Sequence, residues 1–180
     1  MIVPRAKLSE PATPIRWIRI DDRLIHGQVT VAWRQHLGYD EICIVDDALA
    51  NDAFMNDMLR LAAPSGVHVT VYTVQQAPGA LTHPASNAIL LLTKTPQSVL
   101  RLLDAGVPIT QVNVGNIAAA PGRKRVFKSI SLGPEHVATL DALAERGVEI
   151  TFQLVPHDTA LEWKSVRSKW ANRKSLFVWI

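Results

Sequence analysis

The chain has 180 residues, 48% of them hydrophobic and 19% charged, which suits a globular protein with a buried core and excludes global disorder. Its one cysteine, Cys43, cannot form an internal disulfide, and no apolar run approaches the ~20 residues of a membrane span. The formal charge of +3 is uneven: residues 1–14 carry +1 and residues 159–180 carry +4, leaving −2 on 15–158, a poor footprint for a nucleic-acid backbone.

Residues 1–14, with Pro4, Pro11 and Pro14 and no apolar period, read as an N-terminal arm. The start carries no apolar signal segment, so a soluble cytoplasmic protein is expected. A strand is predicted at 15–20. The helix after it places Val29, Ala32, Trp33, His36 and Leu37 on one stripe, with Gly38 beyond its last turn. A strand at 41–45 leads to a helix capped by Asn51 or Asp52. Its expected apolar face is Phe54, Met55, Met58, Leu59 and Ala62, and Pro64 stops it. Strands at 67–72 and 88–92 follow, then a helix opened by Thr95-Pro96 that runs to Asp104 before Gly106. A strand at 111–114 comes next. Pro134 opens a helix with Val137, Leu140 and Leu143 on one face, and a strand at 148–154 follows Gly147. Several strands are apolar on both faces, as in a covered parallel sheet. The expected fold is α/β: one domain over 15–158, a doubly wound, mostly parallel sheet of six or seven strands with helices on both faces. Residues 159–180 are set apart as an aromatic and basic C-terminal segment.

In such sheets ligands gather where strands end and helices begin. The candidate loops are therefore 21–27, 46–47, 73–76, 93–95 and 115–125. The first reads Asp21-Asp22-Arg23-Leu24-Ile25-His26-Gly27-Gln28-Val29. It has no Gly-x-Gly-x-x-Gly and no Gly-Lys-Ser/Thr, which disfavours nucleotide binding. It offers instead a histidine at the mouth of a helix, an arginine three residues upstream, and two carboxylates. A neutral imidazole is a good nucleophile near neutral pH, and its phosphorylated form can pass the group on. Helix-start N–H groups from Gly27 and Gln28 onward suit phosphoryl oxygens, as does a two-pronged Arg23. Gly27 also removes a side chain where a second protein approaches, and Asp21 or Asp22 can hold Arg23 or an imidazole N–H in place. The same residue types also fit an ordinary loop histidine beside a surface arginine. A metal site fits less well, because the other histidines show no paired ligand spacing. No metal or cofactor is expected.

The run from Ile20 to Val29, with Trp33 four residues on, resembles the phosphorylation loop of the mannose/sorbose-family IIB component of the bacterial phosphoenolpyruvate-dependent sugar phosphotransferase system. Ile44-Val45-Asp46-Asp47, Thr93-Lys94-Thr95-Pro96, Asn113-Val114-Gly115-Asn116, Gly122-Arg123-Lys124 and Gly147-Val148-Glu149-Ile150 resemble the family's later landmarks, in its order. The resemblance covers about 15–158. It implies a phosphocarrier, enzymatically a protein-phosphohistidine–sugar phosphotransferase, that takes a phosphoryl group from a phosphohistidine on a IIA partner. It implies delivery to a sugar held by membrane-embedded IIC and IID components, with the protein peripheral to that permease. His26 falls on the phosphorylated histidine, which acts in family members through Nδ1, and Arg23 on the supporting arginine. A regulatory or interaction protein on the same fold, phosphorylated at His26 without sugar transfer, is the alternative.

Other features carry two readings each. Asp46-Asp47 suits capping and loop solvation better than a magnesium site. Thr73, Lys94 and Thr95 can line a phosphate site from neighbouring strand ends, while Thr95 equally suits a helix cap. Arg123-Lys124-Arg125 is either a partner contact or a solvated loop. Ala118-Ala119-Ala120 departs from the family pattern, in which a bulkier or polar residue such as His is expected. Trp163, Val166 and Trp170 share a helical face, and with Trp179 they place three of the chain's five tryptophans within 163–180. That face can pack on the domain, form a homo-oligomer contact, or lie on a membrane surface.

Overall fold

The computed structural model describes residues 15–81 and 88–172. The expected arm at 1–14 and Trp179 lie outside them. The chain runs β1 (Ile15–Asp21), α1 (Gly27–Leu37), β2 (Glu41–Val45), a short 3-10 turn, α2 (Ala53–Ala62), β3 (His68–Tyr72), α3 (Ala77–Leu81) and β4 (Ile89–Thr93). It continues through α4 (Pro96–Asp104), β5 (Gln111–Asn116), β6 (Lys124–Phe127), β7 (Ile130–Leu132), α5 (Pro134–Glu145), β8 (Glu149–Phe152), β9 (Leu161–Glu162) and α6 (Trp163–Asn172).

Seven strands form one sheet in the order β3-β2-β4-β1-β5-β8-β9, and β6 and β7 make a separate antiparallel hairpin. The main sheet is parallel except for β9, which pairs antiparallel to β8. β1 therefore has three strands on either side. β4 is buried along its whole length, because side chains of a helix-covered strand meet apolar layers on both faces.

Apolar residues divide into two clusters, one per face. Trp33 of α1 and Leu59 of α2 pack with Leu24, Ile25 and Tyr39 on one side. Val99 and Leu102 of α4, Leu140 and Leu143 of α5, and Val166 of α6 pack on the other. Local signals set the helix starts. Asp52 caps α2 by accepting from Met55 N at 2.9 Å, and Thr95 caps α4 by accepting from Ser98 N at 3.3 Å, with Pro96 in its first turn.

Two expectations change. The apolar face expected on α2 is largely exposed, with Phe54 at 72% and Met58 at 47%, and Leu59 is its one buried side chain. The cause is position. α2 lies against β3, the edge strand, so the sheet covers only one side of it. His36, on the predicted stripe of α1, is also exposed and meets the Trp33 ring edge-on at 6.0 Å.

Residues 161–172, set apart in the sequence, add a strand to the main sheet and a helix to its core. Trp163, Val166 and Trp170 are buried, Trp163 stacks on Phe152 at 5.8 Å, and its indole N–H donates to Asp141 at 3.0 Å. Among the described residues no helix is long and apolar enough to cross a membrane.

Candidate active site at the end of the central strand

β1 ends at Asp21, and the chain turns there before α1 begins. Leu24 N donates to Asp21 O at 2.9 Å, and Leu24 takes φ +58, a left-handed conformation that burial of its side chain offsets. Gly27 opens α1 at φ +34, and a Cβ there would meet nothing within 4 Å. The need for glycine is thus conformational.

His26 is the N-cap residue of α1, extended at φ −135 and ψ 91, and its side chain is exposed and makes no capping bond. Its backbone is fixed from both directions. His26 N donates to Thr30 Oγ1 at 3.0 Å, and Val29 N and Thr30 N donate to His26 O at 3.1 and 3.3 Å. The first-turn N–H groups of a helix point out of its end, where they and the helix dipole favour an anion. Trp33 anchors α1 beneath this point. Its indole N–H donates to Leu154 O at 3.1 Å, and its ring stacks on Trp17 at 5.3 Å.

Arg23 is half-buried and held by Asp21 in a two-pronged pair. Nε donates to Oδ1 at 2.9 Å, a terminal nitrogen donates to Oδ2 at 2.9 Å, and Arg23 N adds a bond to Oδ1 at 3.2 Å. That hydrogen bonding with Asp21 raises the Arg23 pKa above its ordinary value. Asp21 is 1% exposed and also takes a 2.9 Å bond from Arg19, itself 2% exposed. Asp22 turns elsewhere. It accepts from Asn116 Nδ2 and, at 2.7 Å, from Ala118 N, tying the loop to the end of β5.

β1 and β4 are paired through Ile20 and Thr93, so Lys94 and Thr95 follow the strand next to the loop. Lys94 Nζ pairs with Asp46 Oδ2 at 3.0 Å, and the Thr95 hydroxyl lies 3.1 Å from Ser98 Oγ as well as capping α4. Gln28 belongs to the first turn of α1. The loop at 46–47 is built by its own carboxylates. Asp46 accepts from Ala48 N and Leu49 N. Asp47 accepts from Val74 N and Arg101, which lower its pKa. Thr73 bonds within its turn to Gln76. Arg123 donates to Ala118 O at 2.9 Å. Among the described residues no group of three or more His, Cys, Asp or Glu side chains is placed to hold a metal ion.

Sequence reasoning passed over Arg19 and gave Asn113 and Gly115 no role beyond a family landmark and the start of a candidate loop. The signal was available for Arg19, a charge between Ile18 and Ile20 in an apolar strand. Its distant partners were not legible, because Asn113 stands 94 and Gln153 134 residues away.

The model of the PTS system sorbose subfamily IIB component matches residues 15–175. The chain belongs to this family. It is 34% identical over 145 residues to the sorbose-specific EIIB component of Klebsiella pneumoniae, covering 79% of this chain and 88% of that one. It is 34% identical over 145 residues to the N-acetylgalactosamine-specific phosphotransferase enzyme IIB component 2 of Escherichia coli, covering 80% and 92%. The crystal structure of the IIBSor domain of the K. pneumoniae sorbose permease superposes with a TM-score of 0.81 at 32% identity, over 86% of this chain and 96% of that one. That of manxB from Thermoanaerobacter tengcongensis gives 0.81 at 37% identity, over 87% and 96%. As a sorbose-subfamily IIB component, the chain is part of a sugar-uptake phosphotransferase system. The family match runs past residue 158 and takes in β9 and α6.

Proposed function

We propose that His26 is the phosphorylated residue of this IIB component. It accepts the group from a phosphohistidine on a IIA partner and hands it to a sugar held by IIC and IID permease components, from the cytoplasmic side of the membrane. The observation that carries this reading is the exposed His26 imidazole at the N-terminal end of α1, in one loop with an arginine held by a buried carboxylate. A mannose-specific EIIAB component of E. coli, 35% identical over 153 residues, carries both names in one chain, which supports a IIA donor.

In the transfer, the lone pair of the His26 ring nitrogen forms the new P–N bond as the donor's P–N bond breaks. The donor nitrogen keeps that electron pair. The proton on the second ring nitrogen of each histidine stays in place, so charge moves with the phosphoryl group alone. The first-turn N–H groups at Gly27 and Gln28 receive its oxygens, and Arg23 offers the guanidinium donors that Asp21 leaves over. Asp22 fixes the loop against β5, while Lys94 and Thr95 border the site from the end of β4. Which sugar is served is decided outside these residues, in the permease.

The test is labelling by phosphorylated IIA, generated from phosphoenolpyruvate through the general phosphotransferase proteins. Wild type gains one phosphoryl group, lost in mild acid as phosphohistidine is, and His26→Ala gains none. Equal labelling of the alanine variant excludes His26 as the acceptor.

A further inference from the structure

Arg19 lies in the middle of β1, the central strand, with its side chain 2% exposed. Removing a guanidinium from water costs several kcal/mol, and an apolar side chain of that size would fill the space without the cost. Yet the surroundings are built to hold it. One terminal nitrogen donates to Asn113 Oδ1 at 2.6 Å and to Gln153 O at 3.1 Å, the other donates to Asp21 Oδ2 at 2.9 Å, and the Trp33 ring lies 5.5 Å away. β5 carries Gly115 where a Cβ would stand 1.9 Å from Arg19 Cζ. Strand, helix and two neighbouring chain segments thus leave a slot for this one cation.

What the cation does is visible at Asp21. The carboxylate accepts four N–H groups, three from Arg23 and one from Arg19, which fills its lone-pair sites. A saturated Asp21 has no acceptor left for the imidazole. Without Arg19, Asp21 and Arg23 form a neutral pair with no net positive charge to set against the charge that develops on the phosphoryl group in transfer. With it, the three side chains carry a net charge of +1 in a site where burial limits screening.

We propose that Arg19 is a positioning residue for phosphoryl transfer at His26. By sharing Asp21 with Arg23, it fixes the direction of the Arg23 guanidinium and leaves the group cationic. This rests on the phosphocarrier reading above and adds to it a residue that touches neither the phosphoryl group nor a partner.

The experiment is single-turnover phosphorylation by phosphorylated IIA, followed by the phosphorus-31 resonance of the product. Arg19→Met, near in size, is expected to slow transfer at saturating donor by roughly ten- to a hundredfold. It leaves the apparent affinity for the donor unchanged, because Arg19 is buried, and it shifts the phosphorus resonance. Arg19→Lys, which keeps the charge but not the fork, recovers part of the rate. A folded Arg19→Met protein with the wild-type rate and resonance overturns the proposal. Should Arg19→Met show no cooperative melt, Asn113→Ala removes the 2.6 Å bond while keeping the charge. A slower rate with a shifted resonance then supports the role, and wild-type values for both overturn it. Wild-type protein that takes no phosphate overturns the phosphocarrier reading itself, a result distinct from any of these.

Discussion

A guanidinium gripped by two parallel hydrogen bonds keeps its remaining N–H donors pointed one way, and Arg23 is gripped so by Asp21. A phosphoryl group in transfer spreads charge over three oxygens, so a fixed fork is worth more there than a mobile point charge. Arg23→Gln is expected to slow phosphorylation of His26 by about a hundredfold or more, the scale seen when one oriented donor is removed. Arg23→Lys should fall between the two. The fold survives both changes because Arg23 sits in a partly exposed loop and Asp21 keeps Arg19. Equal single-turnover rates for all three proteins would show that Arg23 has no part in the step.

Elements differ in how much of the stability their apolar residues carry, and α2 shows it within one helix. Leu59 is buried between α2 and the sheet, while Leu61, two residues on, is 81% exposed. Leu59→Ala should cost about 2–5 kcal/mol, and Leu61→Ala less than about 0.5 kcal/mol, in denaturant titrations. At the start of α5, His136 is buried and its Nδ1 accepts from Gly133 N at 3.0 Å. Burial lowers its pKa, and Glu135, 3.1 Å away, opposes that shift. The unfolded chain then binds the proton more readily, at a pKa of about 6.5, so stability rises with pH across this window. Its contribution is full above the unfolded pKa, falls as pH drops through it, and levels off below the folded value. His136→Gln should flatten that part of the profile when denaturation midpoints are compared between about pH 7 and pH 5. A wild-type profile unchanged by the substitution would show that His136 does not titrate against folding.

For the molecule as a whole, local chemistry made much of the order legible in sequence. Caps and prolines announced α2, α4 and α5, β-branched runs announced six strands, and the loop after β1 was a contiguous motif. What stayed hidden depends on distant partners or on weak local signals. α3 contains Pro78-Gly79, which reads as a break. The β6–β7 hairpin is short and charged, and it turns at Lys128, φ +35, where glycine or asparagine would have announced it. The slot for Arg19 needed residues from strands and loops that meet only in the fold. The aromatic stripe of 163–170 told that a face existed but not what covers it, since amphipathic period is a property of one helix and burial is a property of two layers. That face is covered by the domain's own core, with Arg167 clamped to Asp141 at 2.9 Å and β9 closing the sheet beside β8. Losing one buried tryptophan costs about 3–5 kcal/mol, and a domain's whole stability is about 5–15 kcal/mol. Removing residues 159–180 takes away Trp163, Val166 and Trp170 together and uncovers Phe152. The shortened chain should show no cooperative thermal transition and should bind a hydrophobic dye, although it keeps every residue of the His26 loop. A sharp melt within a few degrees of the full-length protein would mean that the sheet is complete without β9 and α6.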